Sequence, residues 1–191
     1  NNGYGGSATS TVVVSGNQVT NNTQQSGSVF YVFVNNAIAS VTNNLVMGNT
    51  YNASENLDGI VFIGGYGVGD LTFSNNQIID NTASKIITAY TENYPTTITI
   101  SENVIHGNTF SGILSPNALL EITQSSGDST TVTDNSITGN TGTSLVHIGN
   151  SSYAVNPTFE RNNFDDNDGY FVYNNQTSNY SIGNNWWNTE S

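Results

Sequence analysis

Carboxylates are the most concentrated reactive groups in this sequence. The stretch 160–168 carries Glu160, Asp165, Asp166 and Asp168 among the 14 acidic residues of the chain. A pair of carboxylates can hydrolyse a glycosidic bond, one as the acid and the other as the base or nucleophile. Carboxylate oxygens are also the ligands that Ca²⁺ prefers, but the spacing here matches no calcium-loop motif. A solvated acidic turn is the simpler interpretation, and we expect neither a metal nor a cofactor.

Basic and nucleophilic side chains are scarce. Lys85 and Arg161 are the only lysine and arginine, so the chain has little with which to bind an acidic sugar or remove its proton. There is no cysteine, which leaves the redox compartment unreadable. His106 and His147 fall at different points of the repeat described below, so we interpret them as two ordinary surface histidines and not as a metal pair. These features predict that the protein is not an enzyme.

One spacing pattern organises the whole chain. Its clearest copy is ITISENVIHGNT at 98–109, where the apolar Ile100 is followed at fixed distances by Asn103, Ile105 and Asn108. The first asparagines of the seven copies are Asn17, Asn44, Asn76, Asn103, Asn135, Asn162 and Asn185. The closing asparagines, at 22, 49, 81, 108, 140 and 167, lie 27, 32, 27, 32 and 27 residues apart, so the true period is 59. Such a period is typical of repeat proteins whose copies stack.

The residue types predict strands. The chain has 32 Asn, 24 Thr and 19 Gly, all poor helix formers. Apolar and polar residues alternate at 71–74 and 98–101, as in strands with one buried face. We therefore predict an all-β fold, a parallel β-helix (β-solenoid) of about seven coils. Ile78, Ile105 and Ile137 should form one inward column.

The regular asparagines predict side-chain ladders. We expect the first asparagine of each copy to occupy a corner between strands, because Asn tolerates a left-handed backbone. Stacked copies would lie about 4.8 Å apart. Since a side-chain amide is both donor and acceptor, each could bond its neighbours above and below. The pattern thus predicts one ladder through the seven first asparagines and suggests a second through the closing ones.

The same skeleton carries a family resemblance. N-x-I-x-x-N-T, repeated in Asn-, Thr- and Gly-rich sequence, resembles the right-handed parallel β-helix repeats of archaeal and bacterial surface proteins. The segment NNWWN at 184–188 is similar to the NWWG or NYWG motif that ends such blocks in methanogen adhesin-like proteins, with Asn in place of Gly. The resemblance covers nearly the whole chain and implies a right-handed coil and an extracellular, cell-surface location. Polysaccharide lyases and hydrolases also use parallel β-helices, but the GHG and RIK motifs of polygalacturonases do not occur here.

Charge and hydropathy limit the partners. The net charge of −12 opposes binding to nucleic acid and to anionic membranes, and we expect neither partner. No apolar run approaches the roughly 20 residues that span a bilayer. Residues 1–11 are Gly-rich and without periodicity, which predicts a flexible arm before a single β-helix domain at 12–191. A chain that opens on Asn without Met resembles a processed or excised one.

Three surface features complete the expectations. Candidate N-glycosylation sequons lie at Asn21, Asn52, Asn150, Asn175 and Asn179. The stretch 28–34 is apolar on both faces, which predicts that the arm or a partner covers its outer side. Hydroxyl residues flank the first apolar position of several copies, at 40 and 42, 72 and 74, 99 and 101, and 131 and 133. Such a double file occurs on ice-binding β-solenoids, but it would also suit lateral packing or simply an exposed strand.

The ends of the repeat array indicate self-association. The first copy opens on Val12 and the last carries Trp186–Trp187, and neither has a recognisable polar cap. Uncapped sheet edges recruit further strands. We therefore expect a non-catalytic structural protein that associates with itself in a surface layer, sheath or fibre. The alternatives are a carbohydrate-binding adhesin module, a polysaccharide lyase or hydrolase, and an ice-binding protein.

Overall fold

The structure of the protein is a computed structural model that describes residues 10–52, 59–67, 69–92, 96–111, 117–125, 127–149, 157–175 and 182–187. These residues form strands and no helix, and hence none long and apolar enough to cross a membrane. The first strand begins at Ser10, two residues inside the predicted arm, and residues 1–9 of that arm lie outside the described ranges.

The strands follow one another in a regular order. They are β1 (Ser10–Ser15), β2 (Gln18–Thr20), β3 (Thr23–Gln24), β4 (Phe30–Asn35), β5 (Ala37–Thr42), β6 (Leu45–Met47), β7 (Thr50–Tyr51), β8 (Val61–Tyr66), β9 (Gly69–Ser74), β10 (Gln77–Ile79), β11 (Thr82–Ala83), β12 (Lys85–Glu92), β13 (Thr96–Ser101), β14 (Val104–His106), β15 (Thr109–Phe110), β16 (Ala118–Thr123), β17 (Ser129–Thr133), β18 (Ser136–Thr138), β19 (Thr141–Ile148), β20 (Thr158–Glu160), β21 (Asn163–Asp165), β22 (Asp168–Asn174) and β23 (Trp186–Trp187).

Parallel pairing stacks each strand on the equivalent strand of the next repeat copy. Sheet A has the order β1-β5-β9-β13-β17-β20, and sheet B has the order β2-β6-β10-β14-β18-β21-β23. Sheet C, with ten strands, runs β3-β7-β11-β15-β19-β16-β12-β8-β4, and β22 pairs with β19. Sheet C curls because the long strand β19 pairs with the short strand β15 and also with the long strand β16, so it joins the two series of strands from earlier copies. The prediction of an all-β fold with parallel strands is confirmed, and the arrangement is consistent with a β-solenoid.

The core lies between the sheets and follows the predicted alternation. Ile105 pairs with Ile78 on one side and with Ile137 on the other, and all three side chains are buried. The predicted inward column is therefore confirmed. Burying an Ile side chain contributes about 1.5–3 kcal/mol, so a continuous column of this kind is the main source of stability. Packing is tight at Gly142, where a Cβ atom would meet both the ring and the carbonyl of Phe110.

The corner geometry differs from the prediction in one respect. The left-handed residue is not the ladder asparagine but the residue before it, for example Glu102 (φ 57°), Asp134 (φ 57°) and Arg161 (φ 55°). This residue makes the turn, which leaves the following asparagine free to direct its side chain into the stack. Left-handed backbone is unfavourable for a residue with a Cβ, so the stacking of the copies on both sides outweighs the local preference.

Candidate functional site

The seven predicted asparagines form one continuous hydrogen-bonded row, called the first ladder here. Its side-chain bonds, from Nδ2 of one residue to Oδ1 of the next, are 2.8–3.0 Å long. In sequence order they join Asn17, Asn44, Asn76, Asn103, Asn135, Asn162 and Asn185. The predicted ladder is present at every position.

Asn103 shows how an interior rung is satisfied. Its Oδ1 accepts from the backbone N–H of Asn76 at 2.9 Å and from the Nδ2 of Asn76 at 3.0 Å. Its Nδ2 donates to Oδ1 of Asn135 at 3.0 Å and to the carbonyl of Phe73 at 2.9 Å. An amide side chain has two donor hydrogens and two acceptor lone pairs. All four are used, so this buried polar group has no uncompensated atom.

A second ladder runs through the closing asparagines. Its side-chain bonds are 2.9–3.0 Å long and join, in order, Asn22, Asn49, Asn81, Asn108, Asn140 and Asn167. The left-handed residue again comes first, as at Asp80 (φ 53°) and Gly107 (φ 65°). The first six repeat copies are therefore held at two corners by the same device, and the seventh is held at one, through Asn185.

Both ladders end in unused hydrogen-bonding groups. Asn17 and Asn22 donate to the next rung, but their own Oδ1 atoms accept no hydrogen bond from any described residue. At the other end, the backbone N–H groups of Asn167 and Asn185 donate to no described residue. One end of the stack thus offers acceptors and the other offers donors.

Among the described residues, the apolar core is also less covered at its two ends. The partly buried side chains packed against it are Val14, Val19 and Val29 at the N-terminal end, and Phe171, Val172 and Trp187 at the C-terminal end. The Trp187 ring lies parallel to Phe164 at 4.8 Å and perpendicular to Phe171 at 3.9 Å. These rings line a cleft of about 640 Å³, together with Leu145, Gly169 and the residues 165–167.

The sheet edges coincide with the open core. Strands β1 and β2 each pair on one side only, with β5 and β6, and β20 and β23 close the other ends of the same two sheets within the described ranges. Single-sided strands leave backbone N–H and C=O groups directed away from the stack. In the described part of the chain, the two ends of the stack therefore combine partly exposed apolar side chains, ladder groups without an acceptor or donor, and strands paired on one side only.

A buried ion cluster was missed in the sequence. Lys85, Glu121 and His147 are only 5%, 8% and 3% exposed, so the expectation of a surface histidine at His147 is wrong. The Lys85 ammonium contacts the Glu121 carboxylate, and His147 Nδ1 lies 3.6 Å from Oε1 of Glu121. Tyr173 stacks on the imidazole at 5.4 Å. Glu121 and His147 are register partners in adjacent strands, and the equivalent positions in LLEI (119–122) and LVHI (145–148) were a usable signal.

Opposing effects set the ionisation of Glu121. Burial raises the pKa of its carboxyl, but the neighbouring His147 and Lys85 together outweigh burial, so the pKa lies below its ordinary value of 4.5. The carboxylate is thus held charged because the Lys85 ammonium and the His147 ring lie beside it. The cluster chemistry is that of a buried ion pair and not of an accessible acid or base.

The remaining reactive side chains are dispersed. His106 is exposed, with Nδ1 3.0 Å from Oγ1 of Thr138. Arg161 makes two 2.8 Å hydrogen bonds to Asp134, and these hold the pKa of that exposed carboxyl below its usual range. Asp166 occupies a left-handed corner at φ 51°. In the described part of the chain no three His, Asp or Glu side chains are grouped so as to hold a metal ion.

The other predicted surface features can be located. Asn21, Asn52 and Asn175 are exposed, whereas Asn150 and Asn179 lie outside the described residues. Hydroxyl residues are in register along sheet A, in the files Ser40–Thr72–Thr99–Thr131 and Thr42–Ser74–Ser101–Thr133. On β4, Tyr31 and Phe33 are 57% and 39% exposed, and Tyr31 stacks on Phe62 at 4.9 Å. These three rings are called the aromatic strip, and its covering by the arm or a partner remains a prediction.

The fold and these sites define an all-β protein with parallel strands in stacked sheets and asparagine ladders at the corners. Comparisons with protein-family models, curated proteins and solved structures gave no match for this chain.

Proposed function

We propose that this chain is a non-catalytic structural protein of an extracellular cell surface, a self-associating subunit of a surface layer, sheath or fibre. The observation that carries the proposal is that both ends of the stack leave the core and the sheet edges uncovered in the described residues. Solitary repeat proteins normally close their ends with atypical polar copies. A second molecule at each end would bury the apolar side chains and pair the strands.

We further propose that the fold is a right-handed parallel β-helix of about seven coils. Seven in-register asparagines in the first ladder support the coil number. Right-handedness rests on the resemblance to the repeats of archaeal and bacterial surface proteins. The extracellular location rests on the same resemblance and on the sequons, of which Asn21, Asn52 and Asn175 are exposed.

Self-association is tested by light scattering over a wide concentration range, with negative-stain microscopy of the concentrated protein. Val19→Lys places a charge at the N-terminal end, where Val19 is partly buried against the core, and it should abolish the growth in mass. Val104→Lys is the matched control, because Val104 is exposed in the middle of the same sheet. Wild-type protein that stays monomeric at every concentration would overturn the proposal.

A carbohydrate-binding adhesin is a second candidate, favoured by the aromatic strip. Sugar C–H groups pack on the faces of aromatic rings, whose π-systems are electron-rich, and Tyr31 leaves more than half of its surface exposed. Binding of neutral oligosaccharides on a glycan array, lost in Tyr31→Ala and kept in Tyr170→Ala, would support this function. Tyr170 is a suitable control because it is exposed on β22, at the opposite end of the stack.

A further inference from the structure

The hydrogen-bond direction within the ladders gives the two ends of the molecule different chemistry. In every rung the backbone N–H and Nδ2 of one asparagine donate to Oδ1 of the asparagine in the following repeat copy, as from Asn17 to Asn44 and from Asn162 to Asn185. The direction never reverses. Asn17 therefore retains a free acceptor, and Asn185 retains a free backbone donor with respect to the described residues.

We infer that the molecules join head to tail, with β23 of one molecule pairing in parallel with β2 of the next. This inference rests on the proposed self-association and specifies its geometry. Sheet B is the sheet that continues across the joint. Its end strands β2 and β23 belong to the first and the seventh repeat copies, whereas the last strand of sheet A, β20, belongs to the sixth. The backbone bond at the joint repeats the one inside the stack: the backbone N–H of Asn185, whose Nδ2 already donates to carbonyls of its own molecule, donates to Oδ1 of Asn17 of the next molecule.

The register of the joint follows from the columns of sheet B. Gln18 and Val19 occupy the same columns as Trp186 and Trp187, through the pairs that link β2, β6, β10, β14, β18, β21 and β23. Trp186 should therefore face Gln18 of the next molecule, and Trp187 should face Val19. Within the stack, the residue after a ladder asparagine donates its N–H to the ladder carbonyl of the preceding copy, as Leu45 does to Asn17 at 2.8 Å. Gln18 of the next molecule would donate to Asn185 in the same way.

Joints between two N-terminal ends or between two C-terminal ends are less favourable than the head-to-tail joint. Two N-terminal ends brought together would set the free acceptors of Asn17 against each other, and two C-terminal ends would oppose donors with donors. Buried polar groups left without partners cost about 1–3 kcal/mol each. The head-to-tail joint brings the free acceptor of Asn17 to the free backbone donor of Asn185 and buries Trp187 against Val19. A head-to-tail contact that does not close on itself generates an open filament and not a dimer.

Engineered cysteines test the direction directly, because the chain has no cysteine of its own. Parallel neighbouring strands lie about 4.8 Å apart, a Cα separation that a disulfide can bridge. Gln18→Cys and Trp186→Cys are made separately and oxidised alone and as an equal mixture, with Val104→Cys as the mid-stack control. We expect disulfide-linked dimers only in the mixture of Gln18→Cys with Trp186→Cys. As a second measure, Asn17→Ala should weaken association about tenfold, the loss of roughly one buried hydrogen-bond pair, and Val104→Ala, in the middle of sheet B, should leave it unchanged.

The outcomes separate the inference from the proposed function. Dimers from Gln18→Cys alone would show that like N-terminal ends meet, and dimers from Trp186→Cys alone would show the same for C-terminal ends; either overturns the head-to-tail joint. Wild-type growth in light scattering without cross-linking in the mixture would overturn the joint while leaving self-association intact. A wild-type protein that does not associate at all would overturn both.

Discussion

The asparagine ladders and the buried ion cluster are two ways of placing polar side chains inside this stack. Each interior ladder residue, such as Asn103, has all four hydrogen-bonding positions filled by neighbouring copies. In the cluster of Lys85, Glu121 and His147, charge is neutralised within one small group, and both ring nitrogens of His147 lack a hydrogen-bond partner in the described structure. In the ladders, the repeat supplies every hydrogen-bond partner from uncharged groups. The single cluster depends instead on a few particular charged side chains. Removing one member should therefore have different consequences in the two places.

The largest loss of stability is expected where a buried charge has neither hydrogen-bonding amides nor a counter-ion beside it. Ile105 is buried in the middle of the core column, so Ile105→Asp would bury an unpaired carboxylate, which costs several kcal/mol. Val104→Asp on the same strand provides the control, since Val104 is 40% exposed. Chemical denaturation should show unfolding or a severe loss for Ile105→Asp alone, and unchanged melting of that variant would remove Ile105 from the core.

Truncating the carboxylate of the ion cluster should have the next largest effect. Glu121→Ala removes the carboxylate that the buried Lys85 ammonium contacts, and breaking a buried pair typically costs about 3–5 kcal/mol. The double variant Lys85→Met with Glu121→Leu removes both charges and should recover most of that loss, as urea unfolding would measure. If the double variant is as unstable as Glu121→Ala, the broken contact between Lys85 and Glu121 is not the cause.

A single ladder substitution should cost less. Asn103→Ala deprives Asn76 and Asn135 of partners, and we expect a loss of about 1–3 kcal/mol in the free energy of unfolding. Asn35→Ala, on the exposed face of β4, should stay within about 0.5 kcal/mol of the wild type. Equal losses at Asn103 and Asn35, measured by urea unfolding, would argue that the ladder bonds contribute no stability.

Lowering the pH should reduce the stability that the ion cluster contributes and leave the contribution of the ladders unchanged. The pKa of Glu121 is lower in the folded protein than its ordinary value of 4.5, so the stability it contributes is present above that value and is lost as the pH falls through the lowered folded pKa. The difference in melting temperature between wild type and Glu121→Gln should accordingly shrink as the pH is lowered below 4.5. The deficit of Asn103→Ala should persist over the same range, because amides do not titrate there. A Glu121→Gln deficit that is constant with pH would contradict the assigned role of the charge.

Much of the fold was predictable because the repeat leaves little freedom. An apolar residue, an asparagine and a second apolar residue recur at fixed spacing, as at Ile100, Asn103 and Ile105, and period-two alternation allows only one face to be buried. The ladder followed because an amide in every copy has its partners in the adjacent copies. The open ends could be suspected from Trp186–Trp187, but their complementary donors and acceptors required the hydrogen-bond directions.

Two features could not be predicted for physical reasons. The left-handed position before each first-ladder asparagine holds Gly, Asn, Glu, Asp or Arg, so its conformation comes from the stack and not from residue preference. The ion cluster was overlooked because charged residues are rarely buried unless paired, and the pairing joins residues 85, 121 and 147. Only the strand register brings these three together.

The uniform direction of the ladder bonds has an electrostatic consequence. Every side-chain bond between two ladder asparagines runs from Nδ2 toward the C-terminal end of the stack, so the dipoles of these bonds are aligned and add, as peptide dipoles do along a helix. Aligned hydrogen bonds also polarise one another, which strengthens a long row more than a short one. The stack should therefore carry a permanent dipole along its axis from these rows, and alignment of the molecules in a pulsed electric field at low salt, read as birefringence, would measure it.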